Sequence, residues 1–162
     1  MLVVRRRVQG RQSRGFTLIE LMTAVTLLAV LAGLAVPSFQ GFIANQRIRN
    51  TSFDFMAALM LARSEAVTRN GDVSFSKSGS GWSAGWTVAS GTTTLLSRDE
   101  VRNLSITASS DLAAIVYGKD GRTSTGSTQF TIASASTISG VSPRCISIGP
   151  SGVPSSRKGA CS

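Results

Sequence analysis

The chain of 162 residues contains no histidine, and that absence narrows the chemistry before any motif is considered. Histidine is the commonest general base, the usual partner of serine and cysteine nucleophiles and a frequent zinc ligand, so the familiar triads and most zinc sites are excluded. Cysteine is nearly absent too, and two residues cannot form a thiolate cluster. Acidic residues are scarce: 8 stand against 17 basic ones, for a net charge of +9. The carboxylates Asp72, Asp99, Glu100, Asp111 and Asp120 are spaced as turn and strand-end residues and form no metal-loop signature. Neither an enzyme nor a cofactor is expected. The length suits one modest domain with a core rather than two.

Basicity of this kind invites a nucleic-acid reading, so the position of the charge matters. Arg5, Arg6, Arg7, Arg11 and Arg14 all fall within the first 15 residues, and the first acid is Glu20. Without that segment the chain carries 12 basic and 8 acidic side chains, a net +4. Directly after it, residues Phe16 to Val36 form an apolar run of 21 residues with a single charge. As a helix it measures roughly 31 Å, about the hydrocarbon thickness of a bilayer. Arginines on one side only predict a cytoplasmic amino terminus and an exported carboxy-terminal domain. An ordinary secretory signal, cleaved near Gly33-Leu34-Ala35, is the plain alternative. Glu20 argues against it, because a carboxylate within an apolar segment costs up to roughly 2.5–3.5 kcal/mol and calls for a partner.

The residues Arg14-Gly15-Phe16-Thr17-Leu18-Ile19-Glu20-Leu21-Met22 resemble the type IV prepilin signal. That resemblance implies cleavage by prepilin peptidase between Gly15 and Phe16, N-methylation of Phe16, and a filament role for Glu20 as the fifth mature residue. Glu20 of one subunit would pair with the Phe16 amine of its neighbour. A shifted neighbour would leave both charges buried and unpaired, so the pair sets register. The same apolar run would anchor the subunit in inner-membrane lipid before assembly and pack in the filament core afterwards.

Pro37 and Gly41 follow the run, but the helical pattern continues, so a kink is expected there rather than a stop. Phe39, Phe42, Ile43, Phe53, Met56, Leu59, Met60 and Val67 recur at helical spacing and are expected to pack on a sheet. Asn70-Gly71 supplies a cap. Beyond Gly71 the composition turns to Ser, Thr, Gly and short β-branched or aromatic clusters. Seven strands are expected, at 72–76, 86–90, 93–98, 104–107, 113–117, 128–133 and 144–148. The division is therefore a leader (1–15), a membrane and filament-core half-helix (16–36), an amphipathic half-helix (37–71) and a periplasmic β-rich domain (72–162).

Leu61-Ala62-Arg63-Ser64-Glu65-Ala66, Gly81-Trp82-Ser83-Ala84-Gly85-Trp86-Thr87-Val88 and Cys145-Ile146-Ser147-Ile148-Gly149-Pro150-Ser151-Gly152 are similar to the GspH/FimT family of minor pilins and pseudopilins. The resemblance implies an α+β, type IV pilin-like fold: a long amino-terminal helix, its first half transmembrane, packed on antiparallel β-sheets. Trp82 and Trp86 could stack bases or sugars, but a small β domain with few aromatics needs them in its core. Cys145 and Cys161 lie in a compartment that the leader implies is oxidising. A disulfide between them would close a loop of about 15 residues, worth roughly 3 kcal/mol.

Three functions follow from the resemblance. The first is a minor pilin that helps initiate or cap a type IV pilus, with other pilins, the peptidase and an inner-membrane assembly platform as partners. The second is a GspH-like pseudopilin of a type II secretion system. The third is a DNA receptor for uptake, for which Arg144, Arg157 and Lys158 could supply phosphate contacts. The Gly-Arg-x-Arg tail of DNA-binding members is not matched by Gly152-Val153-Pro154-Ser155-Ser156-Arg157.

Overall fold

The computed structural model describes residues 15–162, without the side chains of residues 34–38. A single long helix, α1 (Leu18–Arg69), precedes eight strands among the described residues: β1 (Val73–Lys77), β2 (Trp86–Ser90), β3 (Thr93–Arg98), β4 (Leu104–Ala108), β5 (Ala114–Tyr117), β6 (Thr128–Ser134), β7 (Arg144–Ile148) and β8 (Pro154–Lys158). The chain forms two compact units that meet after Pro37, and the second, Ser38–Ser162, holds both sheets.

Local chemistry accounts for both ends of α1. At the start, the Glu20 backbone N–H donates to Thr17 Oγ1 at 3.3 Å, so Thr17 caps the helix, and Thr17-x-x-Glu20 has the spacing of a capping box. At the far end Asn70 takes a left-handed conformation (φ 50°). The Gly71 N–H then reaches the Ala66 carbonyl and the Asn70 N–H that of Val67, the paired bonds of a Schellman motif. The helix continues through Pro37 and Gly41. Gly41 is buried, and a Cβ there would lie 3.3 Å from the Ser139 carbonyl, so glycine lets the 139–142 loop cross the helix closely.

The strands form two four-stranded antiparallel sheets, in the orders β3-β2-β1-β5 and β4-β6-β7-β8. Period-two alternation sends Val73, Phe75, Trp86, Val88, Ile115 and Tyr117 inward from the first sheet. Leu104, Ile106, Phe130, Ile132, Ile146 and Ile148 do the same from the second. Phe55 of α1 joins the two sheets. Its ring centroid lies 4.9 Å from that of Phe75, 5.1 Å from Trp86, 5.8 Å from Trp82 and 4.9 Å from Phe130.

The buried face of α1 differs from the expected one. Ala44, Ile48, Thr51, Ser52, Phe55, Ala58, Leu59, Ala62 and Ala66 are buried. Of the eight residues expected to pack, only Leu59 is buried; Ile43 and Met56 are half-buried, and Phe39, Phe42, Phe53, Met60 and Val67 are exposed. The reason is steric. Alanines allow the helix backbone to approach the sheets, and the large apolar residues form a second stripe, centred roughly 140° around the axis at about 100° per residue.

Seven strands fall where the sequence places them, within two residues at each end, and β8 is additional. It begins at buried Pro154 and is otherwise Ser, Arg and Lys, with no apolar alternation, as suits an edge strand. The turn before it docks on the other sheet. Gly152 has a φ of 77°, and a Cβ there would collide with the Gly121 carbonyl and crowd the Tyr117 ring. Arg63 Nε donates to that same Gly121 carbonyl at 2.9 Å. The Arg63 and Gly149–Gly152 motifs thus meet at one packing node.

Candidate functional site

At the amino-terminal end, Phe16 is 83% exposed, and Glu20 lies in the first turn of α1. Leader residues 1–14 lie outside the described residues. Leu18, Ile19, Leu21, Met22, Val25, Leu27, Leu28, Val30 and Leu31 are all exposed, so this part of the helix is apolar on every side and uncovered by the chain's own domain. A helix apolar all round requires a surrounding of lipid or other apolar protein surface. Among the described residues no helix is long and apolar enough to cross a membrane. The apolar run of the sequence extends to Val36, three residues beyond the last described side chain at its end.

Trp82 and Trp86 are both buried. Trp82 stacks on Phe75 at 5.2 Å and donates from Nε1 to the Leu112 carbonyl at 3.1 Å, so these rings serve the core and offer no face to a base or sugar. Cys145 and Cys161 form a disulfide across 16 residues. It ties the tail beyond β8 to β7, and the Cys161 N–H donates to Thr131 Oγ1 on β6 at 3.2 Å. Among the described residues no three acidic, histidine or cysteine side chains gather as metal ligands.

The three basic residues proposed for phosphate contacts do not share a surface. In the β7–β8 register Arg144 pairs with Lys158, and Cys145 pairs with Arg157. Directly paired residues point to the same side, so Arg144 and Lys158 face the helix side of the sheet while Arg157 faces away with the disulfide. Arg157 instead donates to Ser162 Oγ at 3.1 Å. The sequence did not mark Arg49 for a role, yet it lines the same cleft as Arg144 and Lys158. Only the helix-to-sheet docking brings them together.

One buried titratable group stands apart from these surfaces. Tyr117 has no solvent exposure, and its hydroxyl has no hydrogen-bond partner among the described residues. Burial pushes its pKa up to about 12, against a smaller opposing effect of Arg63. An unfolded tyrosine ionises near pH 10. The neutral phenol's contribution is therefore intact below about pH 10 and is lost as pH rises to about 12, at roughly 1.4 kcal/mol per pH unit. In chemical denaturation at pH 8 to 12, Tyr117→Phe is expected to flatten that decline. An unchanged slope would assign the alkaline loss to other groups.

With this geometry in place, the comparisons with known proteins become informative. Residues 53–152 match the family of the type II transport protein GspH. The chain belongs to the GspH family. Residues 10–36 also match the prokaryotic N-terminal methylation motif. The type IV minor pilin FimU of Pseudomonas aeruginosa has a similar structure, with TM-score 0.62 and 22% identity over 72% of this chain and 92% of FimU. A second crystal form of FimU gives TM-score 0.59 over 67% of this chain and 91% of that one. The type IV major fimbrial protein FimA of Dichelobacter nodosus is 46% identical over 35 residues, and the match spans only 22% of its length. This GspH-family protein thus has the type IV pilin-like fold expected from its motifs. It is a pilin-like structural subunit of the minor pilin and pseudopilin type, not an enzyme.

Proposed function

We propose that this chain is a minor pilin of a type IV pilus that helps to start the filament or form its tip. In this reading prepilin peptidase cuts between Gly15 and Phe16 and methylates Phe16. Residues 16–36 then hold the subunit in the inner membrane, with its amino terminus cytoplasmic and its β domain periplasmic, until the assembly platform passes it into a filament. The observation that carries the reading is the two-faced helix. Its alanine-rich face is filled by the chain's own sheets, while Phe42, Phe53, Met60 and Val67 stay exposed on a second stripe, and the Leu18–Leu31 stretch is exposed all round. Such surfaces are stable in water only when lipid or neighbouring subunits cover them.

Mass spectrometry of the chain isolated from membranes is expected to find it beginning at Phe16 with one methyl group on the α-amine. A chain that still begins at Met1, or begins beside Ala35, would refute the processing. The family match to a type II transport protein favours a second reading, a pseudopilin of a secretion system. Deleting the gene separates the two: loss of surface pili with secretion intact supports the pilus, and the opposite result selects the secretion machine.

A further inference from the structure

The carboxylates of this chain are unevenly placed. The last is Asp120, so residues 121–162, which supply β6, β7 and β8, contain none, and β4 contains none either. The β4-β6-β7-β8 sheet therefore has no counter-charge of its own. The other sheet has Lys77 paired with Asp111 and Arg98 paired with Asp54 of α1.

Between α1 and the β7–β8 edge lies a cleft of about 200 Å³, lined by Phe42, Asn45, Gln46, Arg49, Arg144 and Lys158 among others. Three cations converge on it and no acid does, and none of the three forms an ion pair among the described residues. The walls are fixed. Arg144 sits opposite Lys158 in the strand register, and its Nε donates to Ser156 Oγ at 3.2 Å. Asn45 donates to the carbonyls of Gly41 and Gly140 at 3.0 and 3.1 Å and accepts from the Ser142 N–H at 3.2 Å, which pins the loop to the helix. Gathered like charges repel, and a bound anion converts that repulsion into attraction. The volume is below the roughly 300 Å³ at which sites for whole organic ligands begin, so a single charged group such as a phosphate suits it better.

Position along the chain narrows the source of that phosphate. Phe42 follows Val36 by six residues and Arg49 by thirteen, roughly 9 and 20 Å of helix beyond the apolar run. Phe42 is exposed, and its ring lies 6.5 Å from that of exposed Phe39. Aromatic rings beside cations, just outside a hydrocarbon segment, match the composition of the membrane interface. We propose that the cleft binds the phosphate of an anionic phospholipid headgroup through Arg49, Arg144 and Lys158. This rests on the reading of residues 16–36 as membrane-inserted.

The full chain is reconstituted in phosphatidylcholine vesicles with and without phosphatidylglycerol. Flotation reports insertion, and native mass spectrometry after extraction into mild detergent reports retained lipid. The expected result is flotation with both vesicles and selective retention of phosphatidylglycerol. Arg144→Gln with Lys158→Gln should float equally but lose that preference roughly tenfold. Arg157→Gln, on the opposite face of the same strand pair, should keep it. Equal retention of the two lipids by the unaltered chain, or an equal loss in the Arg157 variant, overturns the site. Saturation by inorganic phosphate without any lipid preference overturns the lipid source. Duplex DNA released by the Arg144 and Lys158 changes, again without a lipid preference, assigns the cleft to nucleic acid instead. Failure to float with either vesicle overturns the membrane reading itself and is seen separately from lipid selectivity.

Discussion

Replacing Phe55 with alanine is expected to destabilise the domain by about 3–5 kcal/mol, the range for removing a large aromatic side chain from a packed core. Phe55 is fully buried and touches Phe75 and Trp86 of one sheet, Phe130 of the other and Trp82 of the turn between β1 and β2. No other side chain of α1 shares aromatic contacts with both sheets among the described residues. The loss would therefore open a cavity at the junction of three elements, where relaxation of any one is held back by the other two. Phe53→Ala is the matched control. Phe53 is 66% exposed, and a change there should lie within about 0.5 kcal/mol. Denaturation of the chain in detergent, followed by the fluorescence of Trp82 and Trp86, reads both variants, because these are its only tryptophans. Equal costs at the two positions would mean that the buried face of α1 is misassigned.

The second large effect concerns Glu20. Its neutral variants are expected to be processed and inserted normally yet to enter filaments roughly a hundredfold less well. That figure follows from the 3–5 kcal/mol cost of stripping one partner from a buried ion pair, at about 1.4 kcal/mol per tenfold. The local structure supplies a rival explanation, since Thr17 and Glu20 have the spacing of a capping box and the Glu20 N–H bonds to Thr17 Oγ1. Glutamine and alanine separate the two. Glu20→Gln keeps the capping chemistry and loses the charge, whereas Glu20→Ala loses both. Equal failure of the two in a filament-incorporation assay supports the register pair. Normal incorporation of Glu20→Gln beside failure of Glu20→Ala would make Glu20 a helix cap, and normal incorporation of both would dismiss it from assembly.

Much of this molecule was legible because its signals are local. The run from Phe16 to Val36, the Asn70-Gly71 stop and the alternation in Val73–Lys77 or Thr128–Ser134 each depend on neighbours a few residues away. The unreadable parts depend on tertiary contact. Ala58, Ala62 and Ala66 carry little hydrophobic weight beside Phe53 and Met60, yet they line the buried face because closeness of backbone mattered more than side-chain size. β8 has the composition of a loop and is a strand only because β7 offers it an edge. Arg144 and Arg157 belong to one cluster in sequence, and only the strand register shows them facing opposite ways. Arg49 lay in plain view but joined Arg144 and Lys158 through a fold that spacing could not foresee.

The order of the strands has a mechanical consequence. β4 leaves the first sheet's run to begin the second, and β5 then returns to the first, so neither sheet is a continuous stretch of chain. Any single cut after β3 and before β8 leaves both fragments with incomplete sheets and bare edges. The two layers are laced through each other, and Gly152, seated against Gly121 and Tyr117, draws the lace tight near the last strand. A domain laced in this way should come apart in one cooperative step rather than sheet by sheet, a useful property in a subunit held by its neighbours along a single helix.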